Sequence, residues 1–320
     1  MRSLTLALSL LPAGTPSVSV APAAAPASPS LTVSAPPALS LSPALAAPAA
    51  VPATLAPVPA ALTPVSGVPA APETPAAARD AEFRSLVLDL MGTDAEKSAA
   101  ATRELRRLKD AHLNKKPEEK KTSVLELKPM QIPAGMIEVQ AKAADIKDLK
   151  SKEAEAWLKE RSVPTLEDYK GRKRPVDHHH EARAAWEGGE DHVWTHRYFD
   201  DEMHARIKAL PRAEFYAVTK AMGLFYDRDQ FGAGPHDPNH LPEDVRGMAD
   251  DPFRSLAWRV RKLGGYEKTD VPFAEFQWAN FFRERVKTYP TKADFEKAAA
   301  EALALAHSDD AKALPGWKAR

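Results

Sequence analysis

Arg174-Pro175-Val176-Asp177-His178-His179-His180-Glu181-Ala182-Arg183-Ala184-Ala185-Trp186-Glu187-Gly188-Gly189 is the stretch whose reading decides the fold. Residues 174–176 read as the end of a strand that runs straight into a helix. Asp177 is placed to cap that helix, because its carboxylate can accept from the unpaired N–H groups of a first turn. Ala182, Ala184, Ala185 and Trp186 continue it, and Gly188-Gly189 ends it. His178, His179 and His180 therefore fall at a helix N-terminus, where backbone donors and the positive end of the dipole suit an anion such as phosphate. Imidazoles there can donate to phosphate, shuttle protons or bind metal. The same run also reads as a solvated surface turn, and these residues alone leave both readings open.

Working outward, residues 123–127 read as a short strand ended by Lys128-Pro129. Pro133 and Gly135 make residues 130–139 a turn feeding a short extended piece. Helices are expected over residues 142–150 and 152–161, and an extended segment over 163–166. Downstream, residues 192–199 alternate as a strand, with His192 and His196 on one face. Residues 122–200 thus form a small α+β unit of mixed short strands and intervening helices. Residues 201–320 read as a helical extension packed on it, with helices over 201–210, 213–223, 252–263, 273–286 and 291–307. Residues 225–240, rich in Gly, Pro, Asp and His, form a loop between them. Phe273, Phe276, Trp278, Phe281 and Phe282 read as core rather than as a ligand cage.

Upstream of the unit lies a different composition. Residues 1–78 are dominated by Ala, Pro, Ser, Val and Leu, with Arg2 the sole charge before Glu73. Such a tract cannot bury a core, so a disordered arm is expected, removable without loss of stability. Arg2, the apolar residues 4–11 and the small residues 21–25 resemble an export signal; the alternative is a cytoplasmic tail. Residues 79–121 form a helical region, with helices over 82–91 and 95–113 and a charged linker over 115–121. Arg103, Arg106, Arg107 and Lys109 make one face of the second helix basic, either a solvated face or a nucleic-acid contact. Over the whole chain, 44 Lys and Arg balance 44 Asp and Glu, which argues against a surface coated in basic charge. With no cysteine, disulfides, thiolate metal sites and cysteine nucleophiles are excluded. No run reaches the roughly 18 consecutive apolar residues that span a bilayer.

Four segments, in order, carry a resemblance. They are Leu125-Glu126-Leu127-Lys128-Pro129-Met130-Gln131-Ile132-Pro133-Ala134-Gly135-Met136, then Asp177-His178-His179-His180, then Arg254-Ser255-Leu256-Ala257-Trp258-Arg259-Val260-Arg261. The fourth is Gly264-Gly265-Tyr266-Glu267-Lys268-Thr269-Asp270, leading into Phe273-Ala274-Glu275-Phe276-Gln277-Trp278-Ala279. Over residues 122–287 the chain resembles the ParB-like putative nuclease family, a branch of the ParB/sulfiredoxin-fold superfamily. The resemblance implies a compact α/β unit with a phosphate-binding strand-to-helix turn. ParB proteins carry a Gly-Glu-Arg-Arg type box there and sulfiredoxins a Gly-Cys-His-Arg type box; here Val176-Asp177-His178-His179 occupies it. Asp177 stands where sulfiredoxin has cysteine, so sulfiredoxin chemistry is excluded. Histidines replace the arginines of ParB and lack their fixed fork of donors. No helix-turn-helix follows, so centromere binding is not implied.

Two function classes remain open. One is an enzyme acting on a phosphodiester or nucleotide, with Asp177, His178, His179 and His180 as catalytic candidates. His179, His180, Arg183, Lys128 and Gln131 are the candidates to hold phosphate; the resemblance brings Lys128 and Gln131 beside the box. A divalent metal could sit on Asp177, His178 and His180, with His192 and His196 as further ligands. Adjacent helical residues lie about 100° apart, so a metal there needs an irregular turn. The other class is a non-catalytic nucleotide-sensing or protein-interaction module of the same fold. In either case protonated histidines would strengthen anion binding as pH falls through about 6.5.

Overall fold

The structure is a computed structural model and describes residues 74–319. The arm, with its export-like start, lies outside the described residues up to position 73. Helix α1 (Pro75–Met91) begins earlier than the composition indicated, because Thr74 accepts the Ala77 N–H and Pro75 is preset for a first turn. Residues 75–78 are therefore helix rather than arm. α1 pairs with α2 (Ala95–Ala111), which Asp94 caps by accepting from Glu96 and Lys97.

Next comes β1 (Lys120–Ser123), which starts inside the run expected as a linker. Residues 124–126 form one 3₁₀ turn rather than a strand. Val124 and Leu127, three residues apart, are both fully buried, and only a turn places both on one side. β2 (Pro133–Ala134) leads into α3 (Met136–Asp148), followed by α4 (Ser151–Glu160). Pro133 and Gly135 thus stand just ahead of a helix instead of breaking one. β3 (Val163–Glu167), β4 (Lys173–Pro175), α5 (His179–Gly188) and β5 (His192–Arg197) complete the unit. The sheet order is β1-β5-β3-β4: β3 runs parallel to β5 and antiparallel to β4, and β1 is antiparallel to β5. Central β3 is buried along Val163–Leu166, whereas charged β1 takes an edge, where lysines discourage further pairing.

The remainder is α6 (Asp201–Lys208), α7 (Arg212–Ala221), β6 (Ala249–Asp250), α8 (Pro252–Lys262), α9 (Ala274–Arg285) and α10 (Phe295–Ala306). β6 runs parallel to β2. Three apolar clusters hold these elements together. Phe83, Val87 and Leu105 of α1 and α2 pack with Phe199, Met203, Ile207 and Phe215. Val139, Ala143, Leu158 and Val193 pack α3 and α4 against α5 and the sheet. Leu256, Val260, Trp278 and Phe282 join α8 and α9 to α10, so these aromatics are core. Polar contacts reinforce the first cluster: Arg79 pairs with Glu202 and Arg206 with Asp80, each at 2.7 Å. α8 sits on α3. Ile137 N–H donates to Ser255 Oγ at 3.1 Å, and a Cβ on Gly135 would lie 2.6 Å from that oxygen. Only glycine permits that approach. Among the described residues no helix is long and apolar enough to cross a membrane.

Candidate functional site

β4 delivers the chain to Asp177. The helix cap is His178, not Asp177: His178 has a left-handed backbone with φ of 59°. The Asp177 carboxylate turns back to accept the His178 N–H at 2.7 Å and caps nothing further along. His178 Nδ1 lies 3.0 Å from the Ser162 carbonyl and 3.2 Å from that of Arg161, so it carries the proton and donates to both. Its Nε2 has no hydrogen-bond partner among the described residues. A non-glycine residue in this conformation costs about 1 kcal/mol, which the two carbonyl contacts help to offset. At the other end, Gly189 at φ of 95° closes the helix, its N–H donating to Ala185 and Trp186.

The left-handed step turns the next two side chains inward. His179 and His180 are 5% and 6% exposed, so neither belongs to a surface turn. His179 Nε2 accepts the Met130 N–H at 3.2 Å, and His180 Nε2 accepts the Gly135 N–H at 2.9 Å. Both rings are therefore neutral, with their Nε2 lone pairs in use. Burial lowers His179 to about 4 against the pull of Asp177 and Glu181. Burial, with the charges of Arg254 and Lys142, holds His180 well below the usual imidazole range. These two residues pin the 130–135 segment to the start of α5; they neither hold a metal nor gain charge near neutral pH. Low-pH strengthening of anion binding cannot come from them.

Their linkage has the opposite consequence. Below 6.5 the unfolded His179 takes up a proton that the folded one refuses until about 4. Between those values the unfolded state binds more protons, so stability is full above the upper value and falls as pH drops toward the lower. His179 alone should remove about 3 kcal/mol across that window. Urea denaturation at pH 7.5, 6 and 5 is expected to show the loss, and His179→Gln, which keeps an acceptor but does not titrate, should flatten it. An identical slope in the variant would contradict this assignment.

Behind the histidines lies an ionic chain. Lys142 Nζ is 2.6 Å from both Glu138 and Glu181. Arg254 bonds Glu138 at 3.0 Å and also pairs with Glu275, which Arg261 meets at 2.7 Å. Burial opposes the Lys142 charge, but the Glu181 and Glu138 carboxylates outweigh it and raise the amine. Burial likewise acts against the Glu181 carboxylate, yet Lys142 and His178 bring it down to about 2. Three cations thus match three carboxylates, leaving the deep wall close to neutral.

These groups line a cleft of about 740 Å³ that also receives Gln131, Asp177, His178, Tyr198 and the segment 266–276. Of the residues predicted from sequence, the structure brings Asp177, the three histidines and Gln131 to this cleft. Gln131 is buried and donates to the Pro133 carbonyl at 2.8 Å. Arg183 and Lys128 are elsewhere: Arg183 bonds Glu187 and the Val245 carbonyl, and Lys128 bonds Glu243 at 3.0 Å. One helical turn separates Arg183 from the helix start, which points it at the 3₁₀ turn Val245–Gly247 instead. His192 contacts Asp191, and His196 Nδ1 contacts Ser162 Oγ at 2.9 Å. Among the described residues no group of three or more His, Asp or Glu converges to hold a metal. The donor set does not fit the expected ion, because His180 is committed to Gly135. The basic face of α2 divides: Arg106 bonds the Ala221 carbonyl, Arg107 bonds Glu104, and Lys109 reaches the cleft. Sequence reasoning missed Lys142, Glu138 and Tyr198; the alternation that paired His192 with His196 also carries Tyr198 onto their face.

The segment that pins the histidines and the α8 block that meets Glu138 are those that carried the resemblance. The family model described as "Putative ParB-like nuclease" matches residues 120–284. The crystal structure of protein Atu1540 from Agrobacterium tumefaciens is similar at 33% sequence identity and a TM-score of 0.56, covering 64% of this chain and 100% of that one. No curated protein matches the chain. With more than half of its length under the family model and its segments packed around one cleft, the chain belongs to the ParB-like putative nuclease family.

Proposed function

We propose that the chain acts on phosphodiesters, binding a phosphate of a nucleotide or nucleic acid at the start of α5. What supports this reading is one observation. The N–H groups of His179, His180 and Glu181 have no acceptor among the described residues, and they lie beside an unpartnered His178 Nε2 in an open cleft. Unpaired first-turn donors and the helix dipole favour an anion. Beside the neutral deep wall, Asp177 is the carboxylate next to these donors, and it already holds the His178 N–H; Asp110, Glu267 and Asp270 face the same cleft together with Lys109 and Lys268. His178, with its proton fixed on Nδ1 by two carbonyls, presents Nε2 as the base that takes a proton from an attacking water. The leaving oxygen, on the far side of an in-line displacement, takes its proton from solvent, and the imidazolium gives its own up to solvent. His179 and His180 serve as positioning residues for the turn.

The test is turnover of a fluorogenic single-stranded oligonucleotide by the full chain, in magnesium and in EDTA. His178→Asn keeps a residue tolerant of the left-handed backbone and should lower kcat/KM about 10²- to 10⁴-fold. Asp177→Asn should retain the turn through its Oδ1 and preserve folding. Full activity in His178→Asn would overturn the assignment. Binding of the oligonucleotide without turnover would instead mark a nucleotide-sensing module.

A further inference from the structure

We propose that Tyr198 is a further catalytic residue of this cleft, its hydroxyl donating a hydrogen bond to a phosphoryl oxygen of the substrate held at the start of α5. The inference rests on the phosphodiester reading above and adds to it a donor that comes from the sheet rather than from the helix.

Tyr198 follows β5 by one residue, and its backbone is fixed on both sides. Its N–H donates to the Thr165 carbonyl at 3.0 Å, and its carbonyl accepts the Asn114 N–H at 2.9 Å. Val193 and Thr195 are buried on one face of β5, which leaves His196 and Tyr198 on the other. That face is the side of His178: His196 contacts the Ser162 hydroxyl, and the Ser162 carbonyl takes the His178 Nδ1 proton. The Tyr198 ring is set edge-on to Phe199 with centroids 4.9 Å apart, which orients it. It lines the cleft together with Asp177 and His178.

The Tyr198 ring is half-buried and its hydroxyl opens to the cleft, where a bound group can reach it. The hydroxyl has no hydrogen-bond partner among the described residues. Burial, followed by the carboxylates of Asp110 and Asp177, pushes the phenol up to about 12. The group therefore keeps its proton at any working pH and is available as a donor. A neutral donor aimed at a phosphoryl oxygen adds to the backbone N–H groups where charge builds in the transition state, without adding a cation to a wall whose charges already balance.

Tyr198→Phe in the full chain removes the hydroxyl and keeps the ring. With the same oligonucleotide, kcat should fall about 10²- to 10³-fold with KM nearly unchanged, the pattern of a contact made in the transition state. The melting temperature should stay that of wild type, since no protein hydrogen bond is lost. Wild-type kcat in Tyr198→Phe, alongside an inactive His178→Asn, would overturn this inference and leave the phosphodiester reading standing. A clear drop in melting temperature would also overturn it, by assigning the hydroxyl to the fold. A wild-type chain without turnover would remove both.

Discussion

Trp278→Ala is expected to lower the unfolding free energy by roughly 3–5 kcal/mol. Trp278 is fully buried in the cluster that joins α8, α9 and α10. Its ring stacks on Tyr266 with centroids 4.3 Å apart and meets Phe281 edge-on at 5.9 Å. Its Nε1 donates to the Pro315 carbonyl at 2.8 Å, tying the C-terminal segment to α9. Alanine would leave a large cavity and an unpaired carbonyl, and neighbouring rings held by their own contacts cannot collapse into it. Because Tyr266 and residues 267–276 form one wall of the cleft, the loss should loosen the site as well as the core. Chemical denaturation checks the magnitude; a change under about 1 kcal/mol would show that the side chain carries little packing.

Arg254→Ala should cost a similar 3–5 kcal/mol for an electrostatic reason. The guanidinium is 6% exposed and joins Glu138 of α3 to Glu275 of α9. Removing it leaves two carboxylates facing each other, with Lys142 and Arg261 as their remaining partners. Glu138 suffers more, because it is 3% exposed and cannot recruit water as Glu275 can. Arg254→Lys should recover only part of the loss, since one ammonium cannot serve both carboxylates in fork geometry. The double variant Arg254→Met/Glu138→Gln should be more stable than Arg254→Met alone, because it removes the buried charge that loses most, while Glu275 keeps Arg261. Denaturation midpoints for the set decide this. An Arg254→Ala midpoint equal to wild type would show that the ionic chain adds no stability.

The existence of the helices and several of their ends were legible in residue types, but the starts of α1 and α3 lay six or seven residues before the expected positions. Gly188-Gly189 at the end of α5 acts within one turn of chain, and such local signals report local effects. Trp278, Phe281 and Phe282 identified themselves as core by sheer apolar area, whereas Phe273 caps α9 half-buried and lines the cleft with Phe276. The order of four motif segments sufficed to indicate the family. Residues 124–127 were misread as strand because a short apolar run fits either period, and burial of both Val124 and Leu127 chose the turn.

The direction of the three histidines was different. Residue types alone placed them at the head of a helix, a position that serves equally a solvated turn, a metal site or a phosphate clamp. What separated them was tertiary: a left-handed step at His178, which rotates His179 and His180 inward, and two backbone N–H groups from the 130–135 segment waiting for their lone pairs. Those donors lie 49 and 45 residues away, and the Arg254–Glu138 pair spans 116. The sequence by itself thus determined where this helix ends, placed its start to within one residue, and indicated which family it serves. Only the tertiary structure decided which of its histidines face the cleft and which are spent inside, because a ring's protonation and direction depend on partners that chain proximity does not bring near.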